Sequence, residues 1–518
     1  MGIDCLVLGA GQEVGKSCAV VNINGKRIMF DCGMHMGDPK HPYPDFSRIS
    51  KTGDFDGALT CIIITHFHLD HVAALPYFTE VCGFRGPIYM THPTKALAPL
   101  MLKDNLKHMI NGMGDKEKFT SDDIDSCMEK VIAVDLKQTI RVDEDLEIRA
   151  YYAGHVIGAA MFYARVGDAS VLYTGDYNMT PDRHLGAAQI DRLPLDLVIT
   201  ESTYGTTIRD SRFAHESEFL KAVHTCVADG GKVLIPTFAL GRAQEICILL
   251  EDYWERRNLK VPIYFSGGLT IQANMYSKML ISWTSQKVKE AYTNHNAFDF
   301  KHVRTFDRSL IHAPGPCVLF ATPGWLNTGF SLEVFKQWAT SEMNLVTLPG
   351  QCIAGTIGQK LMSGKPKKID LDPETQIDVR CQIHKLAFSP HTDSKGIMDL
   401  MKFLSPKHVI LVHGEKPKMV KLKGRIESEL GIPCYHPANN ETVSIPSTHY
   451  VRADASASFI NTTLCPNFSF KNSASEDKCT SELQICDVRV SEGLLVMQNN
   501  NQKPNVIHQD DWSGKTDT

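Results

Sequence analysis

The sequence lacks any Cys-x-x-Cys pair, although it holds 15 cysteines in 518 residues. An odd number of singly scattered thiols excludes a disulfide framework and a thiolate zinc finger. It fits reduced thiols in the cytosol or nucleus. No apolar run reaches the roughly 18–20 residues that cross a bilayer. The opening run Met1–Cys5 has no charged segment of the kind that starts a secretory signal, so none is expected. Excess positive charge is missing too: 54 Lys and Arg stand against 59 Asp and Glu, a net charge of -5. That excludes a polybasic wrapper of nucleic acid. A local basic patch or a metal site remains as a route to RNA or DNA. The sequence shows no internal repeat and no low-complexity tract.

What is present is ordinary for a globular chain, with 43% hydrophobic and 22% charged residues. The length suggests three or four domain-sized units. The first 200 or so residues repeat one device, a short β-rich run ending in a polar or glycine-rich turn. Ile3–Leu8 runs into Gly9-Ala10-Gly11, Arg27–Phe30 into Asp31-Cys32-Gly33, and Cys61–Ile64 into Thr65-His66. Val171–Tyr173 runs into Thr174-Gly175-Asp176, and Leu195–Ile199 into Thr200-Glu201-Ser202. Asn24-Gly25 between two such runs marks a hairpin. With a helical pattern at Pro93–Met109, this reads as a layered α/β fold with much antiparallel pairing.

From about Tyr204 the rhythm changes to longer helix–strand alternation, a compact α/β unit in its own right. Ile377–Phe388 and His408–Val412 then resume the first device. The tail from about Val451 is richer in Ser, Asn and Thr. Glu482–Val490, Gly493–Met497 and Val506–His508 are expected there as short strands of a small β unit.

One motif misleads. Ala10–Ser17 fits a relaxed P-loop, but a P-loop needs a helix directly after it. Cys18–Ile23 is β-branched and ends in the hairpin turn, so a glycine-rich strand turn is expected instead.

The strongest signal is His66-Phe67-His68-Leu69-Asp70-His71. With 21 histidines in the chain, chance supplies this pattern in roughly one such chain per several hundred. Residues two apart in an extended segment face one side, so His66 and His68 can share a metal. Asp70 and His71, past the strand end, can serve a second one. The donors are all nitrogen or oxygen, which suits zinc ahead of iron or manganese. Two metals need about seven or eight protein donors. His155, Asp176 and His413 each close a strand-like run beside a glycine and can complete the set.

At this point the chain resembles the metallo-β-lactamase superfamily, and within it the nucleic-acid-cutting β-CASP branch. The resemblance covers about residues 3–445. It rests on Asp31 in Phe30-Asp31-Cys32-Gly33, on the 66–71 motif, and on His155 and Asp176. It continues through Glu201 in Thr200-Glu201-Ser202-Thr203-Tyr204, His391 in Phe388-Ser389-Pro390-His391 and His413. Gly241-Arg242-Ala243-Gln244-Glu245 and Ala321-Thr322-Pro323-Gly324 match the β-CASP insert. Within the branch, the segment Gly175–His184 is similar to the endonuclease subunits of Integrator-type complexes, and Ala387–His391 to the plant form of that subgroup. Trp325 stands where such relatives usually carry Met, and Gln351 where an aromatic is common.

The resemblance implies a metallo-β-lactamase αββα sandwich in two pieces, 1–204 and 381–450. A β-CASP α/β domain is inserted at 205–380, and a small C-terminal partner-docking β unit follows at 451–518. It implies a zinc-dependent RNA endonuclease of a nuclear 3′-end processing complex. Two zinc ions are implied, one on His66, His68 and His155 and the other on Asp70, His71 and His413, with Asp176 bridging. Asp31 would orient a ligand from behind. Glu201 and His391 would serve proton transfer, leaving a 3′-hydroxyl and a 5′-phosphate. The implied partners are single-stranded RNA, an inactive metallo-β-lactamase paralogue, and a cleavage and polyadenylation or Integrator complex. Arg242, after a glycine at a helix start, is a candidate for a backbone phosphate or for an ion pair with a neighbour. The basic stretches Lys365–Lys368 and Lys416–Arg425 read as solvated faces that can border an RNA path.

Overall fold

A computed structural model describes residues 2–446, except 39, 111–118, 209–211, 239, 267, 293–295, 351, 353–354, 365, 372–375 and 387. It also describes 454–455, 494–496 and 505–507. The chain divides into two units, Met1–Ser447 and Thr448–Thr518.

Two seven-stranded sheets form the centre of the first unit. One runs in the order Glu441–Ile445, Ile3–Gly9, Cys18–Ile23, Lys26–Phe30, Cys61–Ile63, Ile88–Thr91, Val131–Val134. The other runs Cys434–Tyr435, His408–Val412, Leu197–Glu201, Ala169–Tyr173, Ala160–Val166, Leu146–Tyr152, Thr139–Arg141. Each is antiparallel at one end and parallel at the other. Strand periodicity sorts the apolar side chains. In Lys26–Phe30, Ile28 and Phe30 enter the core between the sheets, while Met29 joins the outer cluster under the helices. Phe30 stacks on Tyr173 of the facing sheet at 4.9 Å. The outer cluster takes in residues of His92–Ile110 and Ser121–Glu129, and of Ser394–Leu404 and Lys416–Arg425. The first unit therefore contains a helix–sheet–sheet–helix sandwich.

The Asn24-Gly25 hairpin forms as expected. Both residues take positive φ, +50° and +95°, and Ile23 pairs with Lys26. Ala10–Ser17 is followed by the strand Cys18–Ile23, so the P-loop reading is excluded by the missing helix. The basic stretch 416–425 is a helix whose Met419 and Leu422 are buried.

A six-stranded, all-parallel sheet makes up the insert, ordered Val303–Thr305, Ile263–Phe265, Cys317–Ala321, Lys232–Pro236, Leu345–Pro349, Gln382–Leu386. It is covered on both faces. Val233 and Ile235 pack among residues of Arg212–Ala228 and Arg242–Arg257, and Leu234 packs with Gly329–Trp338 on the other side. The expected run Ile377–Phe388 is two strands. Gln376–Asp378 pairs with Lys368–Asp370, and Gln382–Leu386 adds to the insert's sheet beside Leu345–Pro349. The strand Gln382–Leu386, in the stretch expected to open the second sandwich piece, is thus laddered into the insert's sheet. The two crossings run side by side, with a bridge between Tyr204 and Asp393 and a Ser394 N–H to Thr207 carbonyl bond of 2.9 Å.

In the second unit, Asp454–Ala455, Asn505–Ile507 and Leu494–Val496 form a three-stranded sheet in that order. The expected strand Glu482–Val490 lies outside the described residues.

Candidate metal centre

The sandwich brings the loops after five strands to one edge. Asp31 follows Lys26–Phe30, and the 66–71 motif follows Cys61–Ile63. His155 follows Leu146–Tyr152, Asp176 follows Ala169–Tyr173, and His413 follows His408–Val412. Glu201 is the last residue of its strand. Close packing of these loops requires glycine. A Cβ on Gly33 would lie 1.8 Å from the Asp70 carbonyl oxygen. One on Gly175 would lie 2.6 Å from Thr65 Oγ1. Asp31 and His413 themselves hold positive φ, +58° and +51°, a sparsely populated conformation for residues with side chains.

Three groups of ligand-type atoms converge: His66, His68, His155 and Asp176; Asp70, His71 and His413; and Asp176, Glu201, His391 and His413. His66 Nε2 lies 3.0 Å from His68 Nδ1, and His155 Nε2 lies 3.1 Å from the same atom. One ring nitrogen cannot satisfy both as hydrogen bonds in a single tautomer. Nitrogens 2.0–2.1 Å from a tetrahedral zinc would stand about 3.3–3.4 Å apart, so the grouping fits a metal.

The far side of each ring sets its tautomer. His155 Nδ1 faces the Pro390 carbonyl at 3.0 Å and must donate to it, which leaves the Nε2 lone pair free. Asp31 accepts from the Thr65 N–H (2.8 Å), from the Thr65 hydroxyl, and from His71 Nδ1 (2.7 Å). With its proton on Asp31, the Thr65 hydroxyl accepts from His66 Nδ1 at 3.0 Å. Asp31 thus orients one histidine of each of the first two groups. Thr203 does the same for His413. Its hydroxyl donates to Glu201 Oε2 at 2.7 Å and accepts from His413 Nδ1 at 2.9 Å.

The electrostatics favour a cation. Burial holds the His66 and His155 imidazoles well below their usual pKa, and His68 at about 4, so all three keep a lone pair. At His71, burial opposes charge, yet Asp176, Asp31 and Asp70 together raise the pKa well above its usual value. His413 is raised against its burial by Asp176 and Asp70. Burial also opposes ionisation of Asp176, but His413 and His71 hold its carboxyl well below the usual range. His413 Nε2 faces Asp70 Oδ2 at 3.1 Å, and His71 Nε2 faces Asp176 Oδ2 at 3.3 Å. Each contact needs a positive charge between its atoms, either a proton or a metal ion. Asp176 Oδ1 is buried without a hydrogen-bond partner among the described residues. An orphaned buried carboxylate oxygen among histidine lone pairs fits a metal ligand.

His391 Nδ1 lies 2.9 Å from Glu201 Oε2, and Glu201 Oε1 accepts the Tyr177 N–H at 3.0 Å. His391 lines a cavity of about 460 Å³ together with His68, Asp70, His155, Asp176 and His413 and residues of the insert. Arg242 reaches this cavity at the start of its helix and pairs with Asp182 at 3.1 Å. Both of the readings that the sequence left open for it are thus compatible with its position. The neighbouring loop is pinned to the same helix, where Glu245 accepts the Arg183 N–H (2.9 Å) and contacts His184 Nδ1 (2.6 Å).

All the candidate site residues named from sequence therefore meet in one place, with Arg242 at its rim. Thr65, Thr203, Asp182 and the Pro390 carbonyl were not among them. Thr65 adjoins His66 and Thr203 lies two residues past Glu201, but neither carries a ligand-type group, and a carbonyl leaves no sequence signal.

Residues 20–202 match the metallo-beta-lactamase superfamily domain and 243–361 the Beta-Casp domain. Residues 376–437 match the Zn-dependent metallo-hydrolase RNA specificity domain. The chain is 67% identical over 514 residues to "Cleavage and polyadenylation specificity factor subunit 3-II" of Arabidopsis thaliana, covering 99% of this chain and 82% of that one. It is 55% identical over 472 residues to "Integrator complex subunit 11 homolog" of Dictyostelium discoideum, covering 89% and 63%. Over 450 residues it is 55% identical to "Integrator complex subunit 11" of Gallus gallus, covering 87% and 75%.

Proposed function

This chain belongs to the β-CASP branch of the metallo-β-lactamase superfamily, a family of metal-dependent hydrolases, and from that premise we propose that it is a zinc-dependent RNA endonuclease of a nuclear 3′-end processing complex. The observation that carries the reading is the convergence of two histidine–aspartate groups with the Glu201–His391 pair in one cavity between sandwich and insert. A small-molecule hydrolase needs no such pair under a large insert, and a scaffold subunit has no use for a complete ligand set.

In this reading His66, His68 and His155 would hold one zinc, Asp70, His71 and His413 would hold the other, and Asp176 would be a ligand available to both. Bound there, the two ions supply Lewis acidity toward a phosphate and activate water near neutral pH. The chain's own groups do the rest. Asp31 and Thr65 fix the tautomers of His71 and His66. Glu201 accepts the His391 Nδ1 proton, so Nε2 can carry a proton to the departing 3′ oxygen. The products are a 3′-hydroxyl and a 5′-phosphate. Arg242 exchanges Asp182 for a backbone phosphate as the strand enters.

The relatives' names support a cleavage and polyadenylation or Integrator complex as the setting, and the reading adds an RNA substrate and a paralogue partner. Single-stranded RNA occupies the cavity, an inactive paralogue of the same fold binds the C-terminal unit, and the cleavage and polyadenylation or Integrator complex holds the pair. The test is incubation of the zinc-loaded chain, alone and with its co-purifying partners, with end-labelled single-stranded RNA. Internal cuts bearing 3′-hydroxyl ends are expected. Cutting only from an end, or unaffected by a chelator, overturns the proposal.

A further inference from the structure

Phe238 and Trp325 form an open aromatic corner in the cavity wall. Their ring centroids are 4.8 Å apart and their planes cross at 80°. Both side chains are half-buried and both line the cavity. Neither belongs to the buried clusters on the two faces of the insert's sheet, so neither is accounted for by core packing. The indole N–H of Trp325 makes no hydrogen bond to a described residue.

The corner is held by backbone. Phe238 lies just past Lys232–Pro236, and Trp325 just past Cys317–Ala321, the parallel neighbour of that strand. Thr237 N–H bonds the Ala321 carbonyl at 2.9 Å, and the Trp325 carbonyl accepts the Gly358 N–H at 2.9 Å. Gly324 lets the loops meet, because a Cβ there would lie 3.3 Å from the Phe238 ring. Gly241, three residues on from Phe238, abuts Val156, the neighbour of His155; a Cβ on Gly241 would lie 3.3 Å from the Val156 side chain. Three residues span at most about 11 Å, and the corner lines the same cavity as His155 and His391.

We propose that Phe238 and Trp325 form a nucleobase-binding subsite that stacks a base flanking the scissile phosphate. This rests on the reading of the chain as an RNA-cutting enzyme. A single strand exposes both faces of its bases, and fixed aromatic rings take them with little dependence on sequence. The indole donor, which bonds no described residue, adds a contact to base acceptors. A phosphate-only channel has no use for two half-buried rings that line it.

The test measures binding by stopped-flow anisotropy, read before cleavage, on the zinc-loaded 518-residue chain. The probes are a short single-stranded RNA and the same strand made wholly of abasic nucleotides. Trp325→Ala is expected to raise Kd for the normal strand by about 5- to 150-fold, the range measured for loss of one base–aromatic stack. Trp325→Phe should keep most of the affinity, and Phe238→Leu should weaken binding in the same direction. On the abasic strand, wild type and Trp325→Ala should bind alike. Unchanged zinc content and circular dichroism establish that the variants fold. Unchanged binding in Trp325→Ala and Phe238→Leu, or an equal loss on the abasic strand, overturns the subsite. A wild type that binds RNA but cuts it neither alone nor with its co-purifying partners sinks the nuclease reading and leaves the corner as a base-stacking site only. A wild type that binds no RNA overturns both.

Discussion

His391 Nδ1 donates to Glu201 Oε2 across 2.9 Å, although the two residues are 190 positions apart. Glu201 is itself fixed by the Tyr177 N–H and the Thr203 hydroxyl, so the imidazole is held in one tautomer. In the proposed mechanism this histidine serves the leaving group. His391→Ala should keep its zinc and lose about 10²–10⁴-fold in rate. A substrate with sulfur in place of the scissile 3′ oxygen needs little protonation and should recover much of that loss. An equal defect on both substrates would show that His391 serves geometry instead.

Metal content checks the ligand sets. The wild type should hold two zinc ions per chain by mass spectrometric metal analysis. His413→Ala should retain one, while Asp176→Ala should weaken both. Asp70→Asn with His71→Ala should abolish cleavage and leave the sandwich folded, since both residues lie in the first turn after a strand-end loop. Wild-type rates in that double variant would eliminate the two-metal mechanism.

Asp31 touches no proposed metal position yet holds His71 directly and His66 through Thr65. Asp31→Asn replaces an acceptor oxygen by a donor among groups that all donate. Zinc affinity should fall about 10- to 100-fold, the usual cost of losing a partner behind the ligand. Competition with a fluorescent chelator gives the number, and an unchanged affinity would assign Asp31 to folding alone.

Arg242 and Asp182 form an ion pair at the cavity rim. If Arg242 exchanges this partner for RNA phosphate, Arg242→Ala should weaken binding of every sequence alike. It should also reduce the slope of log K against log salt by about 0.7, the value for one contact on a single strand. A slope equal to that of wild type would leave Arg242 with the ion pair only.

The second unit begins at Thr448. Its three described strands have two or three residues each, too short for a sheet stable by itself. Strand addition from a partner would complete it. A chain cut after 447 should keep its zinc and lose the paralogue in co-purification. Undiminished capture would place the docking surface elsewhere.

The convergence of the candidate ligands was legible in the sequence because metal chemistry demands rare residue types at fixed offsets from strand ends. His66-Phe67-His68-Leu69-Asp70-His71 carries that pattern locally, and glycines mark the close approaches around it. The strand runs were legible for the same local reason, since period-two burial writes itself into short apolar segments. What the tertiary structure alone decided depends on residues far apart in the chain. The Gln382–Leu386 strand left the expected sandwich piece because its best ladder, beside Leu345–Pro349, lies in the insert. The tautomer of His155 depends on a carbonyl 235 positions away, and that of His413 on a hydroxyl 210 positions away. The corner of Phe238 and Trp325 exists only because two parallel strands end together. Side-chain type is a property of one position, but the atom each ring nitrogen faces is fixed only when distant strands pack.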